Sequence, residues 1–282
     1  MSTTREIKRR IRGINSIKQI TNAMELVSTA KLRKARRVLE QSRPYYETVL
    51  SNIRNVIGHV NENHYLLVNR EIENRLYIVL TSDRGLAGGY NANVLRLAQD
   101  KIGENKSTAK LLVVGTKARD FFTRRDYNII ESYTGISETP TYKDAKLLGK
   151  KAMELFKAGE VDEINLVFTR FESTISYTPK VLQLLPSEAI TEEEETKTLV
   201  EFEPSSEAVL DYLIPKYIES SIYGALIEAS ASEQGSRRVA MEAATDNAND
   251  MIGELETNYN RARQAAITNE ITEIVSGADA LT

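Results

Sequence analysis

The sequence predicts an α/β fold in which two long terminal helices, patterned for coiled-coil packing, bracket a central domain built on a mixed sheet. Three observations lead there. From about Ser205 to Ala280 the chain contains no Gly-Pro or Asn-Gly turn, and its one proline, Pro215, lies near the start. Residues 3–57 carry an apolar stripe with three- and four-residue steps. Between the two, short β-branched runs alternate with helical patterns, as in a sheet covered by helices. The domains expected are 1–57, an N-terminal coiled-coil helix; 58–204, an α/β globular domain with an acidic loop near 187–203; and 205–282, a C-terminal coiled-coil helix.

The first helix is read from Ile7, Ile11, Ile14, Ile17, Ile20, Met24, Val27, Leu32, Ala35 and Val38. Gly13 weakens it slightly, and Pro44 is expected to kink or interrupt it. Residues 1–57 hold thirteen Lys/Arg against four Asp/Glu, a balance of +9. Taken alone, a basic amphipathic helix fits a nucleic-acid arm, a membrane-surface helix or one face of a coiled coil. Residues 207–282 hold five Lys/Arg against thirteen Asp/Glu, a balance of −8. Opposite signs on two long helices favour their pairing, with screening keeping that gain modest. A coiled-coil scaffold and a nucleic-acid-binding protein with a basic helix both remain open at this point.

Gly58 to Asn74, with its asparagines and brief apolar content, reads as a connector. Leu76 to Thr81 is a continuously apolar run, a buried strand. Asn91 to Ile102 follows as a helix, Lys110 to Val114 as a strand, Lys117 to Arg124 as a helix and Tyr127 to Ile130 as a strand. Tyr142 to Phe156 is helical again, and Glu163 to Thr169 is a strand. The short turn Phe171 to Thr174 and the run through Val181 to Leu184 read as an antiparallel hairpin on the sheet edge. Residues 187–203 are Glu-rich. Ser205 or Ser206 caps the last helix, with Glu207 in its first turn, where the helix dipole favours an acid.

The last helix carries a seam of small residues. Ile218, Ile222, Ala225, Ala229, Ser232, Ser236, Val239 and Ala243 alternate in steps of four and three, and the seam then shifts by one residue. Ala240, Ala244, Ala248, Met251, Leu255, Tyr259, Ala262 and Ala266 continue it. Such drift follows when a 3.6-residue helix is not held to a strict heptad. At 1.5 Å per residue the helix is ~105 Å long, more than the diameter of a domain of this size.

Composition narrows the chemistry. There is no cysteine, so there is no disulfide framework or thiol chemistry, and the two histidines sit in the connector. No catalytic group, cofactor or metal site is expected. No run approaches the roughly eighteen apolar residues of a membrane span. The turn Ser82-Asp83-Arg84-Gly85-Leu86-Ala87-Gly88-Gly89-Tyr90-Asn91 lies between strand and helix, where phosphates often bind. It lacks both the G-x-G-x-x-G spacing and the Gly-Lys-Ser/Thr of a P-loop, which favours tight-turn chemistry over nucleotide binding. Ser28-Thr29-Ala30-Lys31 and Ser107-Thr108-Ala109-Lys110 both fit S-x-x-K, and two hits in one chain show how unspecific that spacing is.

Ile267-Thr268-Asn269-Glu270, an acid three places on at Glu273, and Gly277-Ala278 resemble the C-terminal signature of the γ subunits of F-type ATP synthases. Ile20 to Val27 with Ala30-Lys31-Leu32 is similar to the N-terminal motif of that family, and Ser82 to Asn91 to its glycine turn, which holds no nucleotide. The resemblance covers the whole chain and is strongest over 1–40, 81–91 and 205–281. It implies that the terminal helices form a long antiparallel coiled coil beside a Rossmann-like domain. It further implies a non-catalytic rotor shaft, one copy per complex, turning inside a ring of three α and three β subunits. The α/β domain and lower coiled coil would hold the ε subunit and rest on the c-subunit ring, with no nucleic acid and no direct membrane insertion. The location implied is peripheral, on the cytoplasmic face of a bacterial cell membrane. Arg263 and Gln264, then Thr268 and Glu270 near the tip, would meet the β subunit, as would Met24 on the first helix.

Overall fold

A computed structural model describes residues 4–57, 71–174, 176–186, 203 and 205–279. Most of the expected connector and nearly all of the acidic stretch 187–203 lie outside the described residues. The elements, in order, are α1 (Thr4–Ile57), β1 (Arg75–Leu80), α2 (Tyr90–Ile102), β2 (Ala109–Val114), α3 (Thr116–Thr123) and β3 (Asn128–Tyr133), then α4 (Tyr142–Lys157), β4 (Glu163–Phe171), β5 (Tyr177–Leu185) and α5 (Ser206–Asp279). The chain forms two compact units, residues 29–237 and residues 1–28 with 238–282.

In the larger unit, a five-stranded sheet has the order β3-β2-β1-β4-β5. The first four strands are parallel, and β5 returns antiparallel to β4 at the edge, as the hairpin reading expects. Alternation along β1 builds both cores. Leu76, Ile78 and Leu80 face one side with Leu112, Val114, Ile164, Leu166 and Phe168. Tyr77 and Val79 face the other with Leu111, Val113 and Val167. Two-sided burial explains why these strands read as unbroken apolar runs. The side of Tyr77 is covered by Val94, Ala98 and Ile102 of α2 and by Ala118 and Phe122 of α3. The side of Leu76 is covered by Leu148, Ala152 and Phe156 of α4, and by Leu210, Ile214, Tyr217, Ile218 and Ile222 of α5.

Two helix starts are capped by side chains, the second of them as the sequence suggests. Thr141 donates both its N–H and its hydroxyl to the Asp144 carboxylate, fixing the first turn of α4. The Ser205 hydroxyl accepts the N–H of Ala208 at the start of α5. The expected interruption at Pro44 does not occur, since α1 runs continuously through it. The Pro44 carbonyl there accepts the hydroxyl of Thr48 at 2.8 Å. The strand expected at Tyr127 to Ile130 starts one residue later and extends to Tyr133.

One glycine is required by close approach. Gly115, between β2 and α3, has φ +92°, and a Cβ there would stand 2.3 Å from the Thr81 carbonyl oxygen. Both the backbone region and the clash are with main chain, so neither relaxes cheaply. Gly115→Ala is expected to destabilise the unit by about 3 kcal/mol or more, read as a lower midpoint in urea denaturation of the full chain. An unchanged midpoint would contradict the close packing of β1 against the β2–α3 turn.

Candidate functional site: a paired-helix seam and a filled sheet crevice

In the smaller unit, residues 4–28 of α1 and 238–279 of α5 carry matching burial. The inward positions of α1 are Ile7, Ile11, Ile14, Lys18, Thr21, Glu25 and Ser28, a strict alternation of four and three. Those of α5 are Met241, Thr245, Ala248, Ile252, Leu255, Tyr259 and Ala262. The two sets meet at Thr21 and Thr245, whose hydroxyls lie 2.7 Å apart. Each hydroxyl also lies near a carbonyl of its own helix, Lys18 at 3.1 Å and Met241 at 2.9 Å. One therefore donates across the seam while the other donates backward.

Antiparallel stepping from that contact sets Ile14 level with Ile252, Ile11 with Leu255, Ile7 with Tyr259, and Thr4 with Ala262. Inward burial on α5 stops at the same place: Arg263 to Ser276 are all exposed. The stripe expected from the sequence is corrected here. Ile17 and Ile20 are 55% and 59% exposed, and Met251 is outward while Ile252 is inward. The true seam passes through Lys18, Thr21 and Ser28, which an apolar count skips.

The expected contact residues fall in two places. Arg263, Gln264, Thr268 and Glu270 share the exposed segment of α5, with Ile267, Ile271, Ile274 and Val275 between 48% and 66% exposed. The Thr268 hydroxyl donates to the Gln264 carbonyl at 3.0 Å, and that of Thr272 to Thr268 at 2.8 Å. Met24 is half-buried beside the α1 seam, about twenty residues and ~30 Å of helix away in this register. The structure therefore groups the four α5 residues and leaves Met24 apart.

In the larger unit, the chain reverses its direction of travel across the sheet between β1 and β4, where open α/β sheets take ligands at the carboxyl ends of the strands. The donors a phosphate would use are already engaged. Asp83 Oδ1 accepts the N–H and hydroxyl of Thr116 at 3.0 and 3.1 Å. Its Oδ2 accepts Gly135 N–H at 2.9 Å and the Ser137 hydroxyl at 2.8 Å. The next two amides of α3 donate to the Ser82 carbonyl and to the Thr81 hydroxyl. Burial disfavours the charged form of Asp83, but these hydrogen bonds outweigh it and hold the carboxyl below its ordinary range. Asn91 closes the turn, accepting Ser82 N–H at 3.0 Å and donating to its hydroxyl at 2.8 Å.

The crevice itself is filled by α5, whose residues 229–237 are all buried. The Ser232 hydroxyl donates to Thr169 at the end of β4, and the Ser236 hydroxyl to Ala87 in the glycine turn at 2.6 Å. Arg237 donates to the Gly85 carbonyl at 3.2 Å and pairs with Glu233 at 2.7 Å. Burial raises the Glu233 carboxyl above its ordinary range, with Arg237 opposing. Above the turn, Glu138 gathers Lys31 at 2.7 Å and Arg84 at 3.3 Å, and the Lys31 hydrogen bond lowers its carboxyl.

A family model described as ATP synthase matches residues 3–281. The ATP synthase gamma chain of Alkaliphilus metalliredigens is 53% identical over 283 residues, covering 98% of each chain. The chain belongs to the ATP synthase gamma chain family. The sodium ion specific gamma chain of Acetobacterium woodii is 46% identical, again over 98% of both. The solved central stalk and c-ring of the Tetrahymena thermophila mitochondrial ATP synthase holds a chain 27% identical, with a TM-score of 0.63, covering 80% of this chain and 99% of that one. A chain of the Euglena gracilis mitochondrial enzyme has the same fold, with a TM-score of 0.72 over 99% of this chain and 94% of that one, at 18% identity. As a gamma chain it is a non-catalytic, central-stalk subunit of a membrane-associated complex. No helix among the described residues is long and apolar enough to cross a membrane.

Sequence reasoning missed the gamma chain's crevice residues Ser232, Glu233, Ser236 and Arg237, reading that stretch as seam alone. A signal was present. Ala229-Ser230-Ala231-Ser232 is small on every face of a helix, which suits a helix with close neighbours on several sides.

Two outcomes test this geometry. Thr21→Val and Thr245→Val should each cost about 0.5–1 kcal/mol by removing the hydrogen bond across the seam, the remaining hydroxyl still donating to its own helix. The double variant should recover most of that loss, because an apolar pair suits the seam; thermal unfolding of the four proteins reads it. Asp83→Asn should cost about 1–2 kcal/mol at neutral pH, allowing for partial exposure. Because the folded pKa of Asp83 is lowered, its stabilisation is full above the ordinary aspartate value of about 4 and fades as pH falls through the folded value. The wild-type advantage over Asp83→Asn should therefore shrink in denaturation curves taken below about pH 4. An advantage constant down to pH 2 would rule out the charged cradle.

Proposed function

We propose that this gamma chain is the rotor of an F-type ATP synthase, turning inside a ring of three α and three β subunits. It would couple ion flow through the c-subunit ring to ATP synthesis or hydrolysis on β. The observation that carries the reading is the segment of α5 after Ala262, which lies beyond the described residues of α1 and presents Ile267, Ile271, Ile274 and Val275 outward. Four large apolar side chains within about two and a half turns of a helix need a cover, and the bore of a subunit ring supplies one at every angle.

Torque then rests on contacts that differ with angle. Arg263 and Gln264 sit at the base of that segment, Thr268 and Glu270 higher, and each meets β in turn. Met24 meets β from α1, lower along the rotor. Nucleotide chemistry stays at the α/β interfaces of the ring, and this chain alters the conformation of each β by presenting a different face. One copy per complex follows, since a single shaft fills the bore. The ε subunit and the c ring hold the opposite end, on the cytoplasmic face of the membrane and without insertion into it. A nucleic-acid role for the basic helix is less economical, because Lys31 is engaged with Glu138 and Arg36 with Glu40.

Reconstitution with α and β subunits tests the assignment. Arg263→Ala should slow steady-state ATPase and single-molecule rotation about ten-fold, the equivalent of one charge-assisted hydrogen bond, while the Michaelis constant for ATP stays within about two-fold. Deleting Ser276 to Thr282 should preserve assembly and most activity. If the short truncation stops rotation and Arg263→Ala is silent, the two regions have their roles reversed. If the chain fails to stimulate α and β at all, the rotor reading falls.

A further inference from the structure

The larger unit contains a cleft unrelated to the filled crevice. Its volume is about 770 Å³, and it opens between α1, α5, the start of α4 and the outer strands β4 and β5. That volume lies in the range of small-molecule sites, roughly 300–1,000 Å³. Tyr46, Tyr142 and Tyr223 stand on its walls, with the rings of Tyr142 and Tyr223 edge to face at 5.6 Å. Phe168 and Leu182 form the sheet side.

Charge at the cleft is divided. Arg170 follows Phe168 on the same face of β4, and Lys180 of β5 lies opposite Phe168 in the ladder. Both are exposed, and neither forms an ion pair among the described residues. The other cation, Lys216, is held by Glu219 at 3.1 Å. Of the acids lining the cleft, Glu228 accepts the N–H of Phe171 at 3.2 Å, and Glu47 lies on exposed helix surface. Arg170 has the Glu172 carboxylate as an electrostatic neighbour but no close ion pair among the described residues, and Lys180 stands beside it next to the aromatic wall.

The cleft wall includes a glycine that packing does not require. Gly224 is half-buried in the interior of α5, and among the described residues no atom beyond its chain neighbours and its own helix backbone lies within 4 Å of where its Cβ would stand. Glycine inside a helix is unfavourable relative to alanine, and among the described residues nothing approaches closely enough to need it here. Its effect is to leave the cavity open beside Tyr223 and Ala225.

We infer that this cleft is a binding site for a small aromatic anion, with the ring received among Tyr46, Tyr142 and Tyr223 and the negative group met by Arg170 and Lys180. Aromatic faces and edges accept a planar ring in offset or edge-on contact. A guanidinium and an ammonium then fix its polar end. The inference stands apart from the rotor reading, since it concerns a different surface and a different ligand.

Calorimetric titration of the full chain with naphthalene-2-sulfonate tests it, beside its uncharged counterpart 2-naphthol. Saturable binding of the sulfonate at one site is expected. Gly224→Leu should abolish it without lowering the melting temperature, because the change fills space and favours helix. Arg170→Ala with Lys180→Ala, both at exposed positions, should weaken the sulfonate at least ten-fold and 2-naphthol less than two-fold. Equal binding to wild type and Gly224→Leu would overturn the inference, as would equal losses for both probes in the double variant. If the sulfonate binds the free chain but is shut out of the assembled synthase, the cleft seats a protein instead and the inference also fails.

Discussion

The packing of α5 into the crevice between β1 and β4 is the contact on which most of the larger unit depends. A helix can lie against the carboxyl edge of a sheet only if its side chains there are small and its polar atoms find partners. Ser232 and Ser236 meet both conditions, reaching the ends of β4 and of the glycine turn. Arg237 adds a longer reach to Gly85, with Glu233 beside it to offset its charge. Burying that pair is expensive, and the hydrogen bond to the main chain is what makes it tolerable. Without α5 in place, the turn would keep its Asp83 anchors and lose its outer support.

A sheet of this topology usually receives a ligand where α5 now lies. The gamma chain keeps the geometry and replaces the ligand with its own atoms. Asp83 provides the negative charge that a phosphate would bring to the start of α3, and α5 provides the bulk. The glycine turn is therefore a structural joint, consistent with a non-catalytic subunit, and its residue pattern reflects internal bonding: Asp83 for three loops, Asn91 for Ser82, and a positive φ at Gly88.

How much of this was legible in the sequence varied with the physics involved. The sheet was readable because strands buried on both faces are written as continuous Leu, Ile and Val. The ends of α1 and α5 were readable because no turn residue interrupts them, although Pro44 suggested a break that a helix on a supporting surface does not show. The seam of the smaller unit was only half readable. Its middle is made by Thr21, Ser28 and Lys18, so counting apolar residues led to Ile17 and Ile20 on the outer face. The exposed segment after Ala262 was legible from its motif, through resemblance. That it lies beyond the described residues of α1 needed the register that one hydroxyl pair defines.

The threonines of that last segment have a consequence for whatever surrounds them. Thr268 and Thr272 spend their hydroxyl protons on carbonyls one turn back in their own helix. A neighbour therefore finds no free hydroxyl proton at these two positions, only the oxygen lone pairs and the methyl groups. Hydrogen bonds reward one orientation, whereas methyl contact is nearly indifferent to it. At these two positions the helix has spent its hydroxyl donors internally, and the directional chemistry it still offers outward lies with the exposed Arg263, Gln264 and Glu270.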